Sequence, residues 1–264
     1  MTVSLPAGIH FSLPVLIVGI LFIIEMLTVS QLGLIIFNRV KGCRKLEQGN
    51  EVAGILFGAI ALIYSLILAF VIMAEWDDYN DLDKVIQAES DKLNAIIAHS
   101  STLPENLKQK FGNSIYHYCD QVVNQEWQMQ ESKEQQPSAI PELRHIILNT
   151  APADKIQEKV FNEVDKNLSD ISDFRRERLS HTHSQMPQLV WNILKAGTLI
   201  IIFFAYFFHV SSLMLKRIYL GLLVTCISMC MFLVYTLDHP FDGDSGVSSQ
   251  PFQEIKQELK EFYQ

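Results

Sequence analysis

The apolar positions of this chain gather in four blocks, residues 13–37, 52–75, 189–209 and 213–236, each at least 20 residues long and nearly free of charge. At 1.5 Å of rise per residue, a helix of about 20 residues crosses the roughly 30 Å of hydrocarbon in a bilayer. The blocks are therefore predicted to span a membrane rather than to fill a soluble core. They come in two close pairs, which gives a hairpin over 13–75, an insert over 76–187, a second hairpin over 188–237 and a tail over 238–264. Both termini and the insert then lie on one side. The first block does not read as a cleavable signal. Residues 1–12 carry no Lys or Arg, the apolar run is too long, and no small-residue cleavage site follows.

The insert reads as helices. No Pro or Gly falls between Trp76 and Ser100, so the second span is predicted to run on as one long helix, with an apolar stripe at Leu82, Ile86, Leu93 and Ile96/Ile97. A capping box from Thr102 to Glu105, with Pro104 in the first turn, opens the next helix, striped by Leu107, Phe111, Ile115, Tyr118 and Val122. Residues 130–138 read as a loop and PELRHIILN as a short helix. A last helix is expected from Pro152 to about His181, with its stripe at Ile156, Val160, Val164, Leu168 and Ile171. Nothing in the insert alternates with period two, so no strands are expected there. In the tail, Pro251 suits a first helical turn capped by Ser248 or Ser249. Phe252, Ile255, Leu259 and Phe262 share one face that needs a packing partner, and the insert is the expected one. The expected fold class is an all-α integral membrane protein, with four transmembrane helices in two hairpins and a helical extramembrane domain.

The charge balance narrows the function classes. The formal net charge is −8, mostly outside the apolar blocks, which argues against a nucleic-acid partner. Of the four cysteines, Cys226 and Cys230 lie in the fourth block and the insert holds only Cys119, so neither a disulfide framework nor a zinc pattern can be drawn. His181 and His183 stand two residues apart without a third ligand. The chain has no phosphate loop, nucleophile elbow or HExxH, so no enzyme activity, no metal and no cofactor is expected.

Charges in unusual places mark the candidate sites. Glu25 sits near the middle of the first span, where a carboxylate costs on the order of 3 kcal/mol, and such residues face a bundle interior or a water-filled path. Lys195 lies a few residues inside the third span and can snorkel to the interface. Glu89 occupies a stripe position between Ile86 and Leu93, and Arg175 and Arg178 continue the stripe of the last insert helix. Glu89 follows Trp76 by 13 residues and Arg175 precedes Pro187 by 12, so an antiparallel pairing of Glu89 with Arg175 or Arg178 is expected. In the second span, Gly54 and Gly58 are spaced for close helix approach. Leu62, Leu66 and Phe70, at i, i+4 and i+8, form a row able to make a hydrophobic constriction in an oligomer. Asp77, Asp78, Asp81 and Asp83 follow at its end as a candidate cation-attracting run.

Several stretches taken in order resemble the bestrophin-like four-helix membrane family of unknown function. They are FGAIALIYSLILAFVIMAEWDDY at 57–79 with Glu89 beyond it, RRERL at 175–179, Pro187 and Trp191 in MPQLVW, and LDHPFDGDSGVSSQPF after the fourth span. The family is named for its similarity to bestrophins, which are homopentameric anion channels with a helical domain beyond the membrane. The resemblance implies an oligomeric channel and brings no catalytic residues. Bestrophins bind calcium at an acidic clasp just after the fourth span, and Asp238, Asp242 and Asp244 occupy a comparable place here, in a shorter run broken by Pro and Gly. Calcium is the one cofactor the resemblance raises. An EF-hand is not formed, because the run lacks a ligand at its fifth position and has Gln253 at its twelfth.

Arg39, Lys41, Arg44, Lys45, Lys216 and Arg217 crowd the two short loops, and the positive-inside rule puts them in the cytoplasm and the insert outside. The resemblance places the insert inside, so the two arguments oppose each other. The expected function is a homo-oligomeric ion channel in a bacterial cytoplasmic membrane, with inorganic ions and the lipid bilayer as partners and the second span lining the pore. The alternative is a non-conducting sensor or scaffold whose insert binds a partner.

Overall fold

The structure is a computed structural model that describes residues 2–4, 10–12, 14–39, 50–127, 140–181, 186–210, 212–242 and 246–263. The chain divides into two compact units, Met1–Asp78 with Ser184–Gly246, and Tyr79–His183 with Val247–Gln264. Helix α2, Asn50–Ser100, contributes to both.

The first unit contains a short antiparallel pair, β1 (Thr2–Ser4) and β2 (His10–Ser12), with Thr2 opposite Ser12. It also contains α1 (Val15–Arg39), the apolar part of α2, α6 (Gln188–Ala205) and α7 (Leu213–Asp238). These four helices are long and apolar enough to cross a membrane. Helix α1 runs antiparallel to α7. A Cβ on Gly19 would sit 2.7 Å from the Phe232 ring, and Gln31 Nε2 donates to the Arg217 carbonyl at 3.1 Å. On α1, Gly33 likewise makes room for the Tyr206 hydroxyl, which donates to the Ser30 carbonyl at 2.9 Å. Helix α2 meets α6 through Tyr64, whose ring fills the space left by Gly197 and whose hydroxyl lies 2.7 Å from Thr198 Oγ1. The small residues that allow close approach are thus Gly19, Gly33 and Gly197. Gly54 and Gly58, expected in that role, have open space beside them, with only Phe208 at 4.0 Å from a Cβ on Gly54. Close packing follows the bulky partner as much as the glycine, and no ring is aimed at Gly58.

The second unit joins the polar part of α2 to α3 (Glu105–Gln121), α4 (Ile140–Leu148), α5 (Lys155–Ser180) and α8 (Gln250–Tyr263). A single π turn, Val122–Glu126, extends α3. The stripes Leu82, Ile86, Leu93 and Ile96 of α2, and Leu107, Phe111, Ile115, Tyr118 and Val122 of α3, are buried. Phe252, Ile255 and Leu259 of α8 are buried too, and α8 packs on α3.

Two helix starts differ from the sequence expectation. The Thr102 box does not form: Pro104 is the N-cap of α3 with no side-chain cap, and Thr102 Oγ1 donates to the His99 carbonyl at 3.0 Å. The connection from α2 is so short that Thr102 serves the unsatisfied carbonyls at the end of α2 instead. The box lies at α5. Asp154 Oδ1 accepts from the Gln157 amide at 2.7 Å, and Gln157 Oε1 accepts from the Ala153 amide at 2.5 Å. That exchange buries Gln157 and Phe161 and turns Ile156, expected in the stripe, outward to 69% exposure.

Candidate functional site

In the second unit, α2, α3, α5 and α8 converge on a buried ion cluster. Arg178, 1% exposed, donates from Nε to Glu89 Oε2 at 2.8 Å and from Nη2 to Glu89 Oε1 at 3.1 Å and Glu126 Oε2 at 2.8 Å. Tyr118 Oη donates to Glu89 Oε1 at 2.5 Å. Arg175 donates to Glu126 Oε1 from Nε at 3.0 Å and from Nη2 at 2.7 Å. The rings of Trp127 and Phe252 lie with centroids 5.6 Å from the Arg178 guanidinium carbon, a cation–π contact on each. Two arginines balance two carboxylates, and both oxygens of Glu89 and of Glu126 are engaged.

Electrostatics follow the geometry. Burial alone would lower the Arg178 pKa, but the charge and hydrogen bonds of Glu89 outweigh it and hold the pKa above its ordinary value. Burial, then the Glu89 charge, keeps the Tyr118 hydroxyl well above the usual tyrosine range. Burial also pushes up the neighbouring Cys119 thiol, which leaves it a small core residue rather than a nucleophile.

Glu89 pairs with Arg178 and not with Arg175, which turns to Glu126 instead. Glu126 lies at the end of a π turn, in which the Trp127 amide reaches back five residues to the Val122 carbonyl at 2.9 Å. Glu126 carried a readable signal, since Tyr118, Val122 and Glu126 continue the α3 stripe at four-residue steps. An acidic residue on an apolar stripe is the same cue that marks Glu89.

In the first unit, Asp238 ends α7. Its Oδ1 accepts from the Met186 amide at 3.1 Å and its Oδ2 from Trp191 Nε1 at 3.0 Å. Each oxygen of this expected cation ligand therefore accepts an N–H, and Asp238 ties the end of α7 to the start of α6. The turn closes just beyond: the Asp242 amide donates to the His239 carbonyl at 3.1 Å, and a Cβ on Gly246 would lie 2.5 Å from the Pro240 carbonyl oxygen. Asp244 and His183 lie outside the described residues. Among the described residues, no group of three His, Cys, Asp or Glu side chains could hold a metal. Asp238→Asn is expected to leave one of the two donors facing an amide NH2, at a cost of about 1–3 kcal/mol, read as a lower melting temperature in detergent.

The pore candidates lie on open faces. Leu62, Leu66 and Phe70 are 70%, 56% and 65% exposed, opposite Tyr64 and Leu68, which α2 buries. Glu25 is also exposed, on α1; Thr28 Oγ1 donates to its backbone carbonyl at 2.8 Å. The structure does not bring Glu25 beside the α2 row, because α1 packs on α7 and α2 on α6. Asp77, Asp78 and Asp81 are exposed on α2, and Asp81 pairs with Lys84 at 2.6 Å.

The Bestrophin-like domain family matches residues 24–252. The chain belongs to the bestrophin-like family. The fold is similar to that in the crystal structure of a mutant bacterial bestrophin homolog from Klebsiella pneumoniae, with a TM-score of 0.64 over 90% of this chain and 99% of that one, at 13% identity. No curated protein matches the chain. In the bestrophin-like chain, the place that the resemblance compares with a calcium clasp holds Asp238, which accepts from the Met186 amide and from Trp191 Nε1.

Proposed function

We propose that the chain is one subunit of a homo-oligomeric ion channel in a bacterial cytoplasmic membrane, with α2 of each copy lining the axis. The observation that carries this reading is the uncovered α2 face, where Leu62, Leu66 and Phe70 stand opposite the residues that pack on α6. Family membership supports it, and the bestrophin likeness makes a pentamer the assembly to test. Glu25 adds to the oligomer argument. A carboxylate exposed near mid-span costs on the order of 3 kcal/mol in lipid, and a neighbouring subunit or an aqueous path removes that cost. Asp77 and Asp78 raise the negative potential at the end of the apolar segment and favour cations. Reconstitution in planar bilayers under bi-ionic conditions, paired with native mass measurement, tests the reading. Unitary currents from an oligomer are expected, with a reversal potential on the cation side. A silent monomer sinks it and leaves the scaffold alternative.

A further inference from the structure

The first unit carries a groove of about 730 Å³ between α1, α6 and α7. This volume lies within the range of small-molecule sites, roughly 300–1,000 Å³. Its two ends differ. Gln188, Trp191, Tyr235 and His239 lie where α6 begins and α7 ends, while Phe22, Met26, Leu199 and Met231 line the part deeper in the span. The deep part is apolar. The shallow part is aromatic and polar, the composition of a membrane–water interface.

Lys195 sits between them. It lies seven residues into α6, about 10 Å from its start at helical rise. Its ammonium stacks over Trp191, one turn back, at 5.4 Å from the ring centroid. The side chain thus points toward the shallow end, the direction of snorkelling. Lys195 is exposed, and among the described residues no carboxylate lines the groove. An exposed cation within a span calls for an anion, and an apolar trough beside it calls for hydrocarbon. One class of molecule supplies both.

We infer that this groove binds an anionic phospholipid, with its phosphate at Lys195 beside Trp191 and Gln188 and an acyl chain along Phe22, Met26, Leu199 and Met231. The inference rests on the membrane-spanning reading and not on conduction. Its failure would leave the bilayer currents untouched, and silent bilayers would leave it standing.

The test uses the full-length protein in neutral detergent, offered equal amounts of phosphatidylglycerol and phosphatidylcholine with identical acyl chains, with bound lipid counted by native mass spectrometry. The wild type is expected to prefer phosphatidylglycerol about fivefold, the effect of one basic side chain near a membrane surface. Lys195→Gln is expected to bring the two lipids to parity and Lys195→Arg to keep the preference. Leu199→Trp, which fills the trough, is expected to lower retention of both. Parity in the wild type, or an unchanged preference in Lys195→Gln, overturns the inference. So does an oligomer that carries no lipid and dissociates in Leu199→Trp, because the groove is then covered by a second copy.

Discussion

Arg178→Ala is expected to lower the thermal midpoint of the purified protein by on the order of 10 °C. The arginine is the hub of the buried cluster, donating to both Glu89 and Glu126 between the rings of Trp127 and Phe252. Its removal leaves Glu89 and Glu126 inside the second unit without the guanidinium they share, while Arg175 still donates to Glu126. Breaking a buried ion pair from one side costs about 3–5 kcal/mol, because the surviving charge keeps its desolvation penalty and loses its partner. It also removes the guanidinium on which Phe252 of α8 rests, so α8 should become the first segment cut by protease. Glu89→Gln is expected to be milder, since its amide oxygen still accepts from Tyr118 or Arg178. Arg178→Lys should fall near alanine, because an ammonium cannot reproduce the forked contact to two acids between two rings. Differential scanning fluorimetry reads the series, and an unchanged midpoint for Arg178→Ala would show the cluster does not hold the unit. A smaller effect lies at high pH. Unfolded Tyr118 ionises near its ordinary value of 10.0, while the folded hydroxyl stays protonated well above it. Its contribution is complete below that pH and is lost as pH rises through the folded value.

The membrane helices were legible because hydrocarbon imposes one rule, about 20 mostly apolar residues in a row, and α1, α2, α6 and α7 are long and apolar enough to meet it. The stripes of α2 and α3 were legible for a related reason: a soluble helix with one buried face must repeat near 3.6 residues. What failed were features decided by neighbours. The Thr102 box fits the sequence pattern, but the carbonyls at the end of α2 claimed the Thr102 hydroxyl. Ile156 lost its place in the stripe because Gln157 folds back to cap its own helix. Arg175 could not be separated from Arg178 by spacing, since the choice depends on Glu126, which takes Arg175 and shares Arg178 with Glu89. Asp238 stood out in the sequence as a candidate cation ligand, while its bonds to Met186 and Trp191, about 50 residues away in sequence, are not visible in any local pattern. Glu126 carries the same cue as Glu89, an acidic residue one four-residue step beyond Val122 on the α3 stripe.

The α2 row leads to the other large expected effect. Its three side chains stand one turn apart, about 6 Å each at helical rise, so copies around an axis would stack three apolar rings. Such a constriction closes by dewetting when its rings are apolar and narrow, and a hydroxyl at one ring holds water in place. Leu66→Ser is therefore expected to raise unitary current severalfold and to lengthen openings, and Phe70→Ser to do the same with a larger gain from lost volume. Leu66→Trp should suppress current while leaving the oligomer intact. Leu222 on α7 is the control: it is 67% exposed and apolar, but on a different helix. If α2 lines the axis, Leu222→Ser leaves current at the wild-type level. Equal currents in Leu66→Ser and wild type, with a change in Leu222→Ser, would move the pore wall to α7. None of the α2 variants touches the packing of Tyr64 on Gly197 or of Leu68 in the core, so a lost current in Leu66→Trp with an unchanged melting point would report the pathway rather than the fold.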